Sequence, residues 1–472
     1  MKNMRGFSRR RIQSILLLAL VCLMLLLVMI TVSRKTDQVN YFGQNNEIDV
    51  SSGSASVLKN GDLSLSSACL SRNILNSPEV QLYSNRLPNK KYYLTIGIPT
   101  IARTVGNKYL MKTLNSLTAN QTVGNTSTDL LIVLQLGDED KHKRSRLAME
   151  IKEKYPYLIN NGVLDIIQVY HNYYPSFHEL KRRFGDSEAR VKWRSKQVID
   201  FSFLSCYCYG LGKYHLQLED DVIASPYYYL KLKDFIENYE AKEKWFTLDA
   251  SILGYIGKVY HNYDLNEIAS FYYIFFDEMP VDWMEYTWRE IKGQKGRWRL
   301  RAASLFQHIG LTSSLSNKKQ RAKEAYFDKH AQKFLGLNPP AIIHTDLNVA
   351  HKTKIKAAYE QGAGYFWGTC HGKSSCYIKV IFKKAIPLHR VIIETGGNFA
   401  TNDTIHHGSL KIGTNPNTND CVHYVLQSSA TFIKGTLDMV FSKKQTVSCL
   451  KIEIRRQMEW VFVREINVWS GT

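Results

Sequence analysis

Hydrophobic positions fall into three textures along the chain. From 12 to 33 no charged residue occurs, and SILLLALVCLMLLLVMITV is almost wholly apolar. A run close to the ~20 residues needed to span a bilayer predicts one membrane helix over 12–33. Lys2, Arg5, Arg9, Arg10 and Arg11 precede it, whereas only Arg34 and Lys35 follow at once, so the tail 1–11 is expected on the cytoplasmic side and the rest in a lumen. Residues 34–90 are rich in Ser, Asn and Asp and read as a flexible stem. Compact apolar runs then recur at Tyr92–Pro99, Leu130–Leu136, Val163–Val169, Tyr214–Leu218 and Trp245–Leu248, with helix-length segments such as Lys108–Ala119 and Arg194–Leu211 between them. That alternation predicts an α/β domain, a largely parallel sheet covered by helices, over about 91–345. After 365 the runs YIKVIF, RVIIET, SLKIG, TLDMVF, CLKIEIR and WVFVREINVW follow at turn-like intervals, which predicts an antiparallel β-sandwich over 365–472.

Composition narrows the function. Lys and Arg number 62 against 42 acids, a formal charge of +20, which alone would suggest nucleic acid. Seven of those positive charges sit in the first 35 residues with no acid among them, and the rest are scattered, so no nucleic acid partner is expected. Of eight cysteines, Cys22 lies in the apolar run, which leaves an odd seven. No CxxC or zinc-like spacing occurs, and disulfides in an oxidising lumen fit better. Cys370 with Cys376 and Cys421 with Cys449 are the expected pairs, and Cys206 and Cys208 are not expected to bond to each other. Asn120, Asn125 and Asn402 begin glycosylation triplets.

The sharpest chemical signal is Leu216-Gln217-Leu218-Glu219-Asp220-Asp221-Val222, where an apolar strand ends directly in three acids. Adjacent carboxylates repel one another unless a cation or polar ligand offsets them. At the carboxyl end of a parallel strand they would face the ligand crevice. Hard divalent ions take such oxygen ligands and bridge readily to phosphate. A solvated acidic turn is the bland alternative. Paired carboxylates astride a sugar, as in a glycosidase, fit poorly because these acids are adjacent.

The stretches YLTIGIPT, YYPSFHELKRRFGDSEARVKWRSKQ, LQLEDDV, LGYIGKVYH, PVDWM, SLFQHIGLTSSL and NPPA occur in this order over roughly 92–345. They resemble the N-acetylglucosaminyltransferase IV family, and the tail GSLKIG…WVFVREINVW looks like the lectin-like domain of its C-type branch. The resemblance implies a GT-A type glycosyltransferase domain followed by a β-sandwich, UDP-GlcNAc as donor, Mn²⁺ or another divalent cation, an inverting transfer to a mannose arm of N-glycans in a β1,4 linkage, and a Golgi membrane location. Association with other Golgi glycosyltransferases is a further expectation.

By the same resemblance Asp221 is the direct metal ligand, His308 a further metal or diphosphate contact, or else a hydrogen-bonded structural histidine, and Glu219 and Asp220 approach the nucleotide. Arg103, Arg194 and Lys196 are cations suited to phosphates, or else surface charges. Asp282 in Pro280–Met284 is the candidate base that deprotonates the acceptor hydroxyl, or else a helix N-cap; Asp249 is the runner-up. Trp283 offers an apolar face to a sugar. Asp403, beside His406-His407-Gly408, would hold sugar hydroxyls, or serve only a turn. The chain departs from the family pattern at Val198, Asp249, Ala250, Ala302 and Ala303, which keeps a second reading open: a relative that binds glycans or glycosyltransferases and regulates branching without turnover.

Overall fold

The computed structural model describes residues 68–470 apart from 88, 104–107, 120–128, 295–298, 312–321, 329–337, 351, 361–363, 399, 414–423 and 456–457. All of these belong to one compact unit from Leu63 to Thr472. The expected membrane segment 12–33, the tail before it and most of the stem lie outside the described residues.

The apolar runs become the centre of a seven-stranded sheet. Its strands are β1 (Gln81–Tyr83), β2 (Tyr92–Thr100), β3 (Leu130–Leu136), β4 (Leu164–Gln168), β5 (Gly212–Gln217), β7 (Leu248–Asp249) and β8 (Lys258–His261), in the order β1-β4-β3-β2-β5-β8-β7. The four central strands pair in parallel, with Leu94 opposite Leu130 and Tyr214. Every residue of β3 is buried, as expected of a strand with helices on both faces. Helix Glu188–Cys208 begins at Ser187, whose hydroxyl accepts from the Arg190 amide, and it lies between β2 and helix Leu265–Ile274. From Val198 to Cys208 it is buried on all sides, which explains why its apolar residues are not confined to one stripe and why its Asp200, Ser202 and Ser205 are all hydrogen-bonded.

β1, β7 and β8 differ from the expected parallel arrangement. β1 and β8 run antiparallel to their neighbours, and β7 pairs with β8, with an isolated parallel bridge from Asp249 to Leu300. The cause is a hairpin: β7 runs on through residues 250–257 into β8, which inserts beside β5. Gly257 closes the loop with φ +69°, where a Cβ would lie 2.9 Å from the Ser251 amide nitrogen. A separate short pair, β6 (Val222–Ala224) and β9 (Phe306–His308), sets Val222 opposite His308.

The C-terminal part contains β10 (Ala341–Thr345), β11 (Asn348–Val349), β12 (Phe366–Thr369), β13 (Ser375–Thr395), β14 (Gly408–Gly413), β15 (Tyr424–Thr431), β16 (Thr436–Arg455) and β17 (Trp460–Ser470). All pair antiparallel in one hydrogen-bonded path, β11-β12-β17-β13-β16-β14-β15, with β10 on β13. β13 pairs with β10 in its first half and with β17 in its second, on either side of the irregularity between Ile381 and Ile386. Val391, Ile393, Leu450, Ile452, Val463 and Ile466 are fully buried in its core.

The expected fold class is therefore corrected. The α/β sheet is mixed, the C-terminal β region is one continuous sheet rather than two separate ones, and among the described residues no helix is long and apolar enough to cross a membrane.

Cys370 bonds to Cys376 as expected. Cys69 bonds to Cys206 across 137 residues, a pairing that spacing could not reveal. Cys449 is disulfide-bonded, and its expected partner Cys421 lies outside the described residues. Cys208 is a buried free thiol whose pKa burial pushes up. Asn402 is exposed, whereas Asn120 and Asn125 lie outside the described residues. Cys69→Ser should destabilise the protein by up to about 5 kcal/mol, since a cross-link over so long a loop restricts the unfolded chain most. The check is the urea midpoint under non-reducing conditions, and an unchanged midpoint would deny the bond a structural role.

Candidate active site

The chain runs β2, β3, β4 outward on one side and then returns to place β5 on the other side of β2, so strand order reverses between β2 and β5. Crevices open at such points, beyond the carboxyl ends of the strands. Here a cavity of about 710 Å³ opens there. Thr100 ends β2, Gly137 and Asp138 follow β3, and Glu219-Asp220-Asp221 follow β5; all of them line it.

The acidic turn is held from three sides. Thr113, in helix Lys108–Thr118, bonds through its hydroxyl to the carbonyls of Asp220 and Val222 and accepts from the Val222 amide. The Ile309 amide donates to the Asp221 carbonyl at 2.8 Å. Thr100 donates to Asp220 Oδ2 at 2.5 Å, and Arg103 reaches Asp220 Oδ1 at 2.5 Å and Asp221 Oδ2 at 3.2 Å. Arg103 also lies over the Tyr109 ring at 5.3 Å. His308 Nε2 lies 3.4 Å from Asp221 Oδ2.

The charges follow from these contacts. Burial pushes the Glu219 carboxyl up to about 8, with the Asp221 charge adding to it. Burial also raises Asp220, against the pull of Arg103. At Asp221 burial is outweighed by His308 and Arg103, which hold the carboxyl below the usual range. The hydrogen bond to Asp221 raises His308 in return, against its burial. Asp221 Oδ1 is buried with no hydrogen-bond partner among the described residues, an arrangement that a bound cation would satisfy. Glu219, Asp221 and His308 each offer a ligand atom within 4.8 Å of the others. Hard oxygen donors with one imidazole suit Mn²⁺ or Mg²⁺. The residues present therefore fit a divalent cation.

The other sequence candidates divide. Asp282 lines the cavity in the first turn of helix Val281–Ile291; its Oδ1 accepts from the Trp283 amide at 3.1 Å, and burial raises its pKa. Trp283 lines it too, with its ring 5.0 Å from Phe184. Lys196 lines the cavity but is engaged, donating to the Gly137 carbonyl at 2.7 Å and to Asp200 at 2.8 Å. Arg194 is buried outside the lining, bonded to Asp186 and the Asp277 carbonyl. Asp249 is fully buried outside it, between Lys258 at 3.0 Å and Arg289 at 2.9 Å. Asp403 lies in the C-terminal part, where its Oδ2 accepts from Trp367 Nε1 at 2.7 Å and burial raises its pKa.

The sequence reading missed Asp138, Arg190, Trp193 and Asp200 in the lining. Asp138 follows a strand as Glu219 does, so the same logic would have found it. Arg190, Trp193, Gln197 and Asp200 recur at helical spacing on one face of a helix, a stripe that becomes visible only once the helix start at Ser187 is known.

The model of the MGAT4 conserved region matches residues 72–327, more than half of the chain. The chain is 33% identical over 390 residues to alpha-1,3-mannosyl-glycoprotein 4-beta-N-acetylglucosaminyltransferase C of Macaca fascicularis, which covers 81% of this chain and 80% of that protein. It is 33% identical over 394 residues to alpha-1,6-mannosyl-glycoprotein 4-beta-N-acetylglucosaminyltransferase of Gallus gallus, with 83% of each covered. The chain belongs to the MGAT4 family. These relatives carry the names of glycosyltransferases, so the chain is a member of an enzyme family that transfers sugars. Among solved structures, the CBM32-1 and CBM32-2 domains of ZmpB from Clostridium perfringens cover 28% of this chain and 34% of that chain at 12% identity, with a TM-score of 0.24. The lectin domain of Lectinolysin complexed with Lewis B antigen covers 29% of this chain and 96% of that one, at a TM-score of 0.23. Likenesses this slight carry no argument. None of these comparisons supports the GT-A class expected for the first part, and that expectation is corrected to a mixed α/β sheet.

Two outcomes are expected. At Gly310 an added Cβ would sit 2.0 Å from Asp221 Oδ2. Gly310→Ala should therefore weaken Mn²⁺ binding at the Glu219-Asp221-His308 cluster by about tenfold, a loss of about 1.4 kcal/mol, without altering any charge; calorimetry with Mn²⁺ alone that shows unchanged affinity would separate Asp221 from a cation site. Arg289→Ala leaves Asp249 and Glu285 short of their buried cation, and should lower stability by about 3–5 kcal/mol in urea unfolding.

Proposed function

We propose that this protein transfers N-acetylglucosamine from UDP-GlcNAc to a mannose arm of N-glycans in a β1,4 linkage, with inversion, in the lumen of the Golgi. The observation that supports it most is the acidic strand end with the unpartnered Asp221 Oδ1 inside a cavity of substrate size. Family membership supports the reaction, and the disulfides support an oxidising compartment. A divalent cation, when bound, supplies positive charge against the diphosphate leaving group.

The chain's own residues do the rest. Asp221, Glu219 and His308 would hold that cation, and Arg103 adds a fixed positive charge locked in place by Asp220. Asp282 is the base. Its carboxylate takes the proton of the acceptor hydroxyl as the new glycosidic bond forms and the bond from the anomeric carbon to phosphate breaks. Its raised pKa makes it a better proton acceptor than an ordinary aspartate. Trp283 presents an apolar face to the acceptor sugar. Asp403, on the separate β-rich part proposed for 365–472, holds glycan hydroxyls.

The regulator reading rested on the departures from the family pattern. Val198, Ala250 and Ala303 are buried, Asp249 is consumed by Lys258 and Arg289, and none of them, nor Ala302, lines the cavity. That placement favours an active enzyme. Purified protein should transfer from UDP-GlcNAc to a biantennary N-glycan, and no product with any UDP-sugar would favour the regulator. Asp282→Asn should lower kcat by about 10²–10⁴-fold with UDP affinity unchanged; an unaltered kcat would remove Asp282 from the chemistry.

A further inference from the structure

A second cavity, of about 610 Å³, opens at the opposite end of the central sheet. It lies where β2 and β5 begin, beside Tyr92 and Gly212, and it shares no lining residue with the first cavity. His261 and Tyr263, which line it, belong to an aromatic stack that continues inward to Trp245. The Trp245 and His261 rings lie 3.8 Å apart and 24° from parallel, and His261 and Tyr263 lie 4.9 Å apart and 17° from parallel. The stack runs from buried to wet: Trp245 is 3% exposed, and Tyr263, the outermost ring, is 69% exposed. Tyr209, 38% exposed, stands on the neighbouring wall.

The cavity is built in advance. Asn262 Oδ1 accepts from the Gly210 amide at 2.6 Å, and its amide nitrogen donates to the Cys208 carbonyl at 2.9 Å, so the loop after helix Glu188–Cys208 is tied to the loop after β8. Lys91 donates to the Gly210 carbonyl, and Arg72 to the Tyr209 carbonyl. Gly210, at φ +73°, makes the turn. Glu240 accepts from Tyr214 at 3.0 Å and bonds His261 Nε2 at 2.7 Å, which fixes the imidazole in the stack. His261 Nδ1 is buried without a hydrogen-bond partner among the described residues. Lys91, Lys213, Glu240 and Tyr209 line the cavity around the ring platform.

A flat ring with one stacked and one exposed face, rimmed by convergent polar groups, matches a ligand with an apolar face and a polar edge. A pyranose ring is such a ligand: its axial C–H groups form one face and its hydroxyls ring the edge. We propose that this cavity is an accessory carbohydrate site that holds one pyranose residue of a glycan against Tyr263, at the end of the sheet away from the proposed transfer site. A nucleobase would also stack, but nothing at the rim offers the fixed phosphate cradle that a nucleotide would use: Lys91 is spent on Gly210, and Lys213 lies over the Tyr214 ring at 5.0 Å.

The test is a titration of the purified full-length chain with a biantennary N-glycan in the presence of EDTA and without UDP-sugar, read by saturation-transfer difference NMR. The protein carries Asp403→Ala throughout, so the C-terminal candidate site does not contribute. Transfer to sugar C–H protons is expected, and Tyr263→Ala should weaken it at least tenfold. Because Tyr263 is exposed, that variant should fold, as its melting temperature will show. Glu240→Gln, which loosens His261, should weaken binding less, and both variants should bind UDP with Mn²⁺ as the parent does. Glycan binding unchanged by Tyr263→Ala, absent from the parent, or replaced by preferential uridine binding lost in Tyr263→Ala would each overturn the proposal. None of these outcomes depends on turnover, so failure of the transferase reading would be seen separately.

Discussion

Mutual repulsion among Glu219, Asp220 and Asp221 is the constraint around which the first half of the molecule is arranged. Three carboxylates at a strand end, two of them nearly buried, are tolerable only with fixed compensation. Arg103 supplies a full charge to Asp220 and Asp221, His308 a partial one to Asp221, and Thr100 and Thr113 hold the backbone and one carboxylate in place. The compensation is incomplete at Asp221 Oδ1, which has no hydrogen-bond partner among the described residues, and at Glu219, whose carboxyl burial and the Asp221 charge push up. A site that leaves charge unbalanced in a cavity is poised for a cation rather than for stability.

The second half of the molecule bears on that arrangement through the segment leading to His308. Asn398 donates to the Arg301 carbonyl and to Ser304 Oγ, and its amide reaches the Ala302 carbonyl at 3.2 Å. Tyr326 bonds Thr401 and Thr404. Lys231, only 4% exposed, pairs with Glu465 at 2.7 Å, and Arg464 with Glu394 at 3.2 Å. Buried pairs of this kind contribute little net stability, but they are costly to separate. The Asn398 bonds tie the segment Arg301–Ser304, just before the strand Phe306–His308, to the β-rich part, and Lys231 ties helix Tyr228–Glu240 to it, whereas Arg464 and Glu394 pair within that part. Ala302 and Ala303, two of the five expected departures from the family pattern, fall in this seam rather than in the cavity.

The residues that the sequence exposed are those whose role is set by neighbours in the chain. The acidic trio, the β-strands before it and the Cys370–Cys376 pair are local patterns, and each appears where it was expected. Asp282, the first candidate for the base, stands in the cavity, whereas the runner-up Asp249 and the phosphate candidate Arg194 are buried in ion pairs with Lys258, Arg289 and Asp186. A motif identifies a charged residue but not what that charge faces. Asp249 makes the point: its partners are 9 and 40 residues away, and only the β7–β8 hairpin and helix Val281–Ile291 bring them to it.

Periodicity and short-range spacing are enough to set strand runs, the order of α/β and β-rich parts, and the acidic strand end, because these depend on which face of a local element is apolar and on repulsion between adjacent charges. The reversal of strand order at β2 and β5, the antiparallel β8, the Cys69–Cys206 bond and the aromatic stack from Trp245 to Tyr263 were decided by the tertiary structure alone. Each joins positions separated by loops of no fixed pattern, and the free energy that selects them is burial and pairing across the folded core, which no local stretch of sequence contains.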